Sequence, residues 1–159
     1  LFRSRDDPHY AEKARRVSEL ARDLSQYLPE LSSRLRQRVR AHADNMVFHP
    51  PCSLQHGQQI RGVIEHHMGE LGFQIRLNTC EPHLCCGSAG TYSVLQAEIA
   101  SELRERKLGH LLASFGDKPV QQIVSANIGC ITHLQSGTDV PVRHWIEVLD
   151  EALQSPSAH

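Results

Sequence analysis

The chain has 159 residues, 40% of them apolar and 22% charged, a balance that suits one globular domain with a real core. Its 17 basic and 18 acidic residues leave a formal net charge of -1, and only 5% are aromatic. These numbers argue against a nucleic-acid binder, a general anionic-membrane binder and a base-stacking platform.

The first residue is Leu1 rather than Met, so we read the chain as a fragment or a processed product. Residues 1 to 8 are polar and read as loose. Asp7-Pro8 is a helix start, and Ala14, Val17, Ala21, Leu24 and Leu28 recur at three- and four-residue steps along one helical face. Pro29 is expected to interrupt that helix. Leu31, Leu35 and Val39 predict a second, short one, and Arg34, Arg36, Arg38 and Arg40 around it read as a solvated face rather than a phosphate-contact patch.

Asn45 to His49 is short and apolar and predicts a buried strand, which Pro50-Pro51 must end. Cys52 follows at once. Ile60, Val63, Ile64, His67, Met68 and Leu71 mark a helix stopped by Gly72, and Phe73 to Leu77 alternates like a second strand. Cys80 to His83 forms a loop leading to Cys85-Cys86-Gly87-Ser88-Ala89-Gly90-Thr91-Tyr92. From Thr91 to Phe115 the pattern predicts one long helix, with Ser93 and Gln96 placed for a capping box and Val94, Leu95, Ile99, Leu103, Leu108, Leu111 and Leu112 on its inner face. Gly116-Asp117 stops it. Val120 to Ala126 reads as a third strand, Ile131 to Gln135 as a short helix, Val140 to Val142 as a fourth strand, His144 to Leu153 as a last helix and Gln154 to His159 as a frayed tail.

Strands alternating with helices predict an α/β fold: a parallel four-stranded sheet flanked by helices, carrying an N-terminal helical extension. The expected division is a helical segment over 1–44, a cysteine-rich α/β domain over 45–154 and a disordered tail over 155–159.

In such a fold ligands collect at the carboxyl ends of the strands. Cys52 and Cys130 each leave a strand at that edge, and Cys85-Cys86 opens a helix at the same edge. Adjacent cysteines cannot easily be bridged to each other. Both can face one soft metal if the chain turns sharply, and Gly87, Ala89 and Gly90 allow that turn. A helix start there would favour thiolate over thiol.

The convergent set is therefore Cys52, Cys85, Cys86 and Cys130, four thiolates suited to tetrahedral zinc or to an iron–sulfur cluster. The competing reading is of buried cysteines acting as small hydrophobes. A third is a metal-free thiol-redox or anion-binding domain built on the Gly-rich helix start. Five cysteines, an odd number, fit a metal or redox role better than a disulfide framework, and Cys80 reads as a bystander. Among the eleven histidines, His49, His56, His83, His133 and His144 lie near the set in sequence. His49 and His56 bracket Cys52 and are the candidates for donating hydrogen bonds to sulfur.

Several stretches together resemble a known family. These are His49-Pro50-Pro51-Cys52 with His56-Gly57-Gln58, the eight residues from Cys85 to Tyr92, Asn127-Ile128-Gly129-Cys130-Ile131-Thr132, and Val142-Arg143-His144 with Glu147 to Asp150. They resemble the cysteine-rich CCG domain, as in the C-terminal part of the iron–sulfur subunit of glycolate oxidase. Related domains occur in heterodisulfide reductase, the anaerobic glycerol-3-phosphate dehydrogenase complex and lactate-utilisation proteins.

The resemblance implies that Cys52, Cys85, Cys86 and Cys130 ligate an iron–sulfur centre of the 4Fe-4S kind, with zinc as the alternative. Gly87, His49, His56 and Asn127 are the residues expected beside it. It further implies an N-terminal ferredoxin-type domain of the same subunit, FAD on partner flavoprotein subunits, and a complex that is cytoplasmic or peripheral to the inner membrane. The domain would relay electrons during oxidation of glycolate to glyoxylate without binding glycolate itself. The alternative role is a structural zinc-binding or metal-free contact domain of the same complex. One departure stands out: the wider family often ends in C-x-x-C, where this chain has Asn127-x-x-Cys130. That favours a four-ligand centre and leaves Asn127 to hydrogen-bond a sulfur or a bound ligand.

Overall fold

A computed structural model describes residues 7–41 and 43–153; the loose start expected before Asp7 and the tail after Leu153 lie outside them. Helix α1 (Ala11–Leu20) and a 3-10 turn (Leu24–Tyr27) lead into α2 (Leu28–Leu35). Strand β1 (Met46–His49) follows, then a π-helical turn (Ser53–Gly57), α3 (Val63–Glu70) and β2 (Ile75–Leu77). Next come α4 (Tyr92–Leu95), α5 (Ala97–Leu112), β3 (Gln122–Ser125), α6 (Ile128–Gln135), β4 (Val142–His144) and α7 (Trp145–Glu151).

The four strands form one parallel sheet in the order β2-β1-β3-β4, as the alternation of elements predicted. Chain order reverses direction between β1 and β3, so the crevice at their carboxyl ends is the topological switch point. Successive side chains point to opposite faces of a strand. Met46, Phe48 and Val124 accordingly join Leu28, Ile64, Met68, Trp145 and Leu149 in the core on one face. Val47 and Ile123 join Leu108, Leu111, Leu134, Cys86 and Cys130 on the other. The sheet is covered on both sides at its centre, where β1 and β3 place apolar residues on both faces.

Several sequence expectations change. The helix expected to run from Asp7-Pro8 to Leu28 ends at Leu20, because Asp23 begins a new turn. Its Oδ1 accepts the Ser25 N–H at 2.9 Å, while the Gln26 Oε1 accepts the Asp23 N–H at 2.8 Å. Pro29 starts α2 instead of interrupting a helix, since first-turn N–H groups have no helical partner to lose.

The long helix expected from Thr91 to Phe115 breaks at Gln96 (φ -128°, ψ 55°) and finishes in a 3-10 turn. Ser93 does not cap it; its hydroxyl turns to the Gly90 carbonyl at 3.4 Å. The break swings Val94 and Leu95 into solvent, 79% and 73% exposed, and the buried face of α5 is Ala100, Lys107, Leu108 and Leu111.

The fourth strand lies at Val142–His144, two residues later than expected, and His144 ends it as the N-cap of α7. The four arginines of the expected solvated face are exposed, three of them beyond the end of α2, and Arg36 reaches Glu70 at 3.4 Å. No helix among the described residues is long and apolar enough to cross a membrane.

Candidate metal centre

The two central strands deliver the first elements of the site. In the β1–β3 register His49 stands opposite Ser125, and both share the face of Val47 and Ile123. Ser125 Oγ lies 3.0 Å from His49 Nδ1 and donates to the His49 carbonyl at 3.0 Å. With Nδ1 so engaged, Nε2 is the ring nitrogen left for the sulfur side. His49 is buried, and its pKa is pushed down to about 3 by that burial, with Lys107 adding to the effect and Cys85 opposing it. It is therefore a neutral imidazole at ordinary pH; because the Ser125 hydroxyl hydrogen goes to the carbonyl, Nδ1 carries the ring proton and Nε2 is left as a lone-pair acceptor rather than the expected donor to sulfur.

Pro50-Pro51 carries the chain from β1 to Cys52, which caps the π-helical turn. From β3 the chain passes through Asn127, whose Oδ1 accepts the N–H groups of Gly129 at 3.0 Å and Cys130 at 3.3 Å. Asn127 is thus the N-cap of α6, and Cys130 sits in that helix's first turn, where the helix dipole favours an anion. The expectation that a helix starting at Thr91 would activate Cys85 and Cys86 is replaced: an irregular stretch separates them from α4, and local amides serve instead. Gly87 N–H donates to Cys85 Sγ at 3.3 Å, and the Ser88 N–H donates to Cys86.

The four expected sulfurs meet. His49, Cys86 and Cys130 offer ligand atoms that all lie within 4.8 Å of one another. Cys86 interacts with both Cys130 and Cys85, and Cys85 in turn with Cys52. All five cysteines are free thiols, and Cys80 is exposed.

The sulfurs differ in proton affinity because they share protons. The thiol hydrogens of Cys52 and Cys86, with the Gly87 N–H, hold Cys85 far below the ordinary thiol range. Cys130 is lowered chiefly by Cys86. Cys52 and Cys86, as donors to these anions, are pushed up, and burial adds to the effect. Thiols that share protons in this way, two of them buried and two half-buried, are a soft donor set that gives up protons when a metal arrives. The pocket thus fits zinc or an iron–sulfur centre in the chemistry of its donors.

The other nominated residues are placed as follows. Gly87 is buried at φ +91°, a backbone conformation that a side chain would strain. His56 is exposed and, with His83, Arg61 and Glu65, lines a cavity of ≈ 290 Å³ that shares Pro50 and Pro82 with the cysteine-bearing loops. His133 Nε2 meets the Ala100 carbonyl at 3.2 Å, and His144 caps α7.

Sequence reasoning passed over Gln55, Glu81 and Lys107. Gln55 Nε2 donates to the carbonyls of Pro50 and Pro82, both at 3.2 Å, tying the Cys52 loop to the lead-in of Cys85. Glu81 is held by Arg106 and, at 2.6 Å, by His110. Lys107 interrupts the apolar stripe of α5 seven residues after Ala100 and four before Leu111, a signal present in the pattern.

A family model described as a cysteine-rich domain, CCG, matches residues 46–135. The chain belongs to the CCG family. This CCG chain is 43% identical over 151 residues to the glycolate oxidase iron-sulfur subunit of Escherichia coli (strain K12), covering 94% of the chain and 35% of that relative. It is 28% identical to the uncharacterized protein YkgE of the same organism, covering 91% of the chain and 60% of YkgE. It is also 28% identical to lactate utilization protein A of Bacillus velezensis, over 91% of the chain and 61% of that relative. The CCG chain thus spans about a third of the first relative's length and about three fifths of the others'.

Proposed function

We propose that this chain is the electron-relaying CCG domain of an iron–sulfur subunit in a glycolate-oxidising complex. One observation carries the reading: thiols from three separate segments meet at the switch point of the sheet, where Cys52 follows β1 and Cys130 follows β3. The likeness to the glycolate oxidase subunit supports the choice of complex.

In this reading Cys52, Cys85, Cys86 and Cys130 hold the centre. An iron–sulfur cluster of the 4Fe-4S kind would supply a one-electron couple there. His49, kept neutral and aimed by Ser125, turns its unprotonated Nε2 toward the sulfurs as a lone pair a metal could use, and the Gly87 and Ser88 amides are the donors to sulfur. Asn127 fixes the backbone of Cys130, and His56 stands at the exposed rim of the adjoining cavity. Glycolate and FAD belong to flavoprotein subunits, a ferredoxin-type domain of the same subunit exchanges electrons with this one, and the complex is cytoplasmic or peripheral to the inner membrane.

The test is metal and sulfide analysis of the full subunit purified without oxygen, with electron paramagnetic resonance. To separate this centre from clusters elsewhere in the subunit, it is compared with a Cys86→Ala, Cys130→Ala variant. The expected result is loss of iron, labile sulfide and one paramagnetic signal in the variant. Full iron in the variant, or loss of one zinc with no change in colour, overturns the electron-relay reading, the latter in favour of a structural zinc site.

A further inference from the structure

Lys107 is fully buried, on the same sheet face as Cys86 and Cys130. Its Nζ donates to the carbonyls of Glu81 at 3.1 Å and Pro82 at 3.4 Å. No carboxylate among the described residues forms an ion pair with it. A buried ammonium without an acidic partner costs several kcal/mol in lost hydration. A methionine would fill the same space on α5 without that penalty. Its charge interacts with Cys52, Cys86 and Cys85 ahead of the Glu81 carboxylate. Two carbonyls orient the ammonium beside the lead-in to Cys85.

We propose that Lys107 is the counter-charge of the four-cysteine site, a positioning residue that offsets the negative charge of the sulfur ligands. The inference rests on the metal-binding part of the reading above. Four thiolates around a divalent ion leave an excess of two negative charges in a buried pocket, and a fixed cation beside them strengthens metal binding. For a redox centre the same cation favours the more negative, reduced form and raises the reduction potential. Lys107 also grips the backbone two and three residues ahead of Leu84, so the charge is fixed relative to the Cys85 loop.

The test uses the full subunit and two neutral variants. Lys107→Met removes charge and donor together. Lys107→Gln removes the charge and keeps an N–H donor for Glu81 and Pro82. Cobalt(II) is the probe for the thiolate site, read by its sulfur-to-metal charge-transfer absorption in metal-free protein. Both variants should bind cobalt about 10- to 100-fold more weakly than the parent, the range seen when groups supporting metal ligands are removed. In protein loaded with iron and sulfide, both should shift the midpoint potential of this centre to more negative values. Lys107→Arg, which keeps the charge, should stay nearer the parent in both measurements. Circular dichroism of the metal-free forms checks folding.

Parent-like affinity and potential in Lys107→Gln with loss only in Lys107→Met assign Lys107 a hydrogen-bonding role and overturn the proposal. Parent-like values in both variants overturn it as well. If the parent holds no iron but binds cobalt in a Lys107-dependent way, the counter-charge stands and the electron-relay reading falls. If the parent holds iron and the neutral variants match it, the reverse is true.

Discussion

A Cβ on Gly87 would lie 2.3 Å from the carbonyl oxygen of Ala100 and 3.0 Å from Nε2 of His133. The double-cysteine turn and helix α5 therefore meet backbone to backbone, in a space that only glycine leaves open. Gly87→Ala combines this clash with strain at φ +91°. We expect it to destabilise the protein by about 2–4 kcal/mol and to abolish metal uptake, because Cys86 must move when the turn opens. Denaturant unfolding and metal content check both outcomes.

Single alanine substitutions separate ligands from bystander. Cys52→Ala, Cys85→Ala, Cys86→Ala and Cys130→Ala should each lower cobalt affinity by at least about tenfold, the thiolate being the ligand itself. Cys80→Ala should match the parent, since Cys80 is exposed and none of the four site thiols has it as an interaction partner. Titration of the five variants side by side decides the set; a strong loss in Cys80→Ala would exclude the four-ligand assignment.

Asn127 closes the amino end of α6 through two N–H groups, one of them that of Cys130. Asn127→Ala should cost about 1 kcal/mol, a usual value for a lost helix cap. Asn127→Asp keeps the acceptor and should lose little stability. It adds a negative charge beside Cys130, so its metal affinity should fall even though its melting temperature holds. Equal affinity in both variants and parent would mean that the cap does not position Cys130.

Glu81 is 28% exposed at its side chain, and its pKa is lowered by Arg106 first and His110 second. A carboxylate whose pKa is depressed on folding stabilises the fold above its unfolded pKa, here near 4.5, and loses that contribution as pH falls through the lowered folded value. Glu81→Gln should therefore melt below the parent by a constant margin above pH 4.5, and the margin should shrink in more acidic solution. Melting curves over that range test the sign; a margin that widens on acidification would contradict it.

The sheet was readable because its strands are short and bounded by Pro or by a turn, and the central β1 and β3 carry apolar residues on both faces. That is what a parallel sheet covered on both sides requires. The break at Gln96 was not readable: the residues around it suit a helix, yet the chain turns there, just before Ala100 meets the double-cysteine turn at Gly87. The same break explains why Val94 and Leu95, expected inside, lie in solvent. His49 and His56 looked equivalent around Cys52, yet strand parity sends His49 toward Cys86, while the π-helical turn leaves His56 exposed.

By itself the sequence nominated the four cysteines and determined the edge at which Cys52 and Cys130 emerge, since both sit just past segments that form neighbouring buried strands. Tertiary structure alone decided what surrounds those sulfurs. The contacts of Lys107 with Pro82, Gln55 with Pro82 and Ser125 with His49 span 25, 27 and 76 residues of chain. Helix packing and strand register, not local spacing, bring such groups within reach of one another.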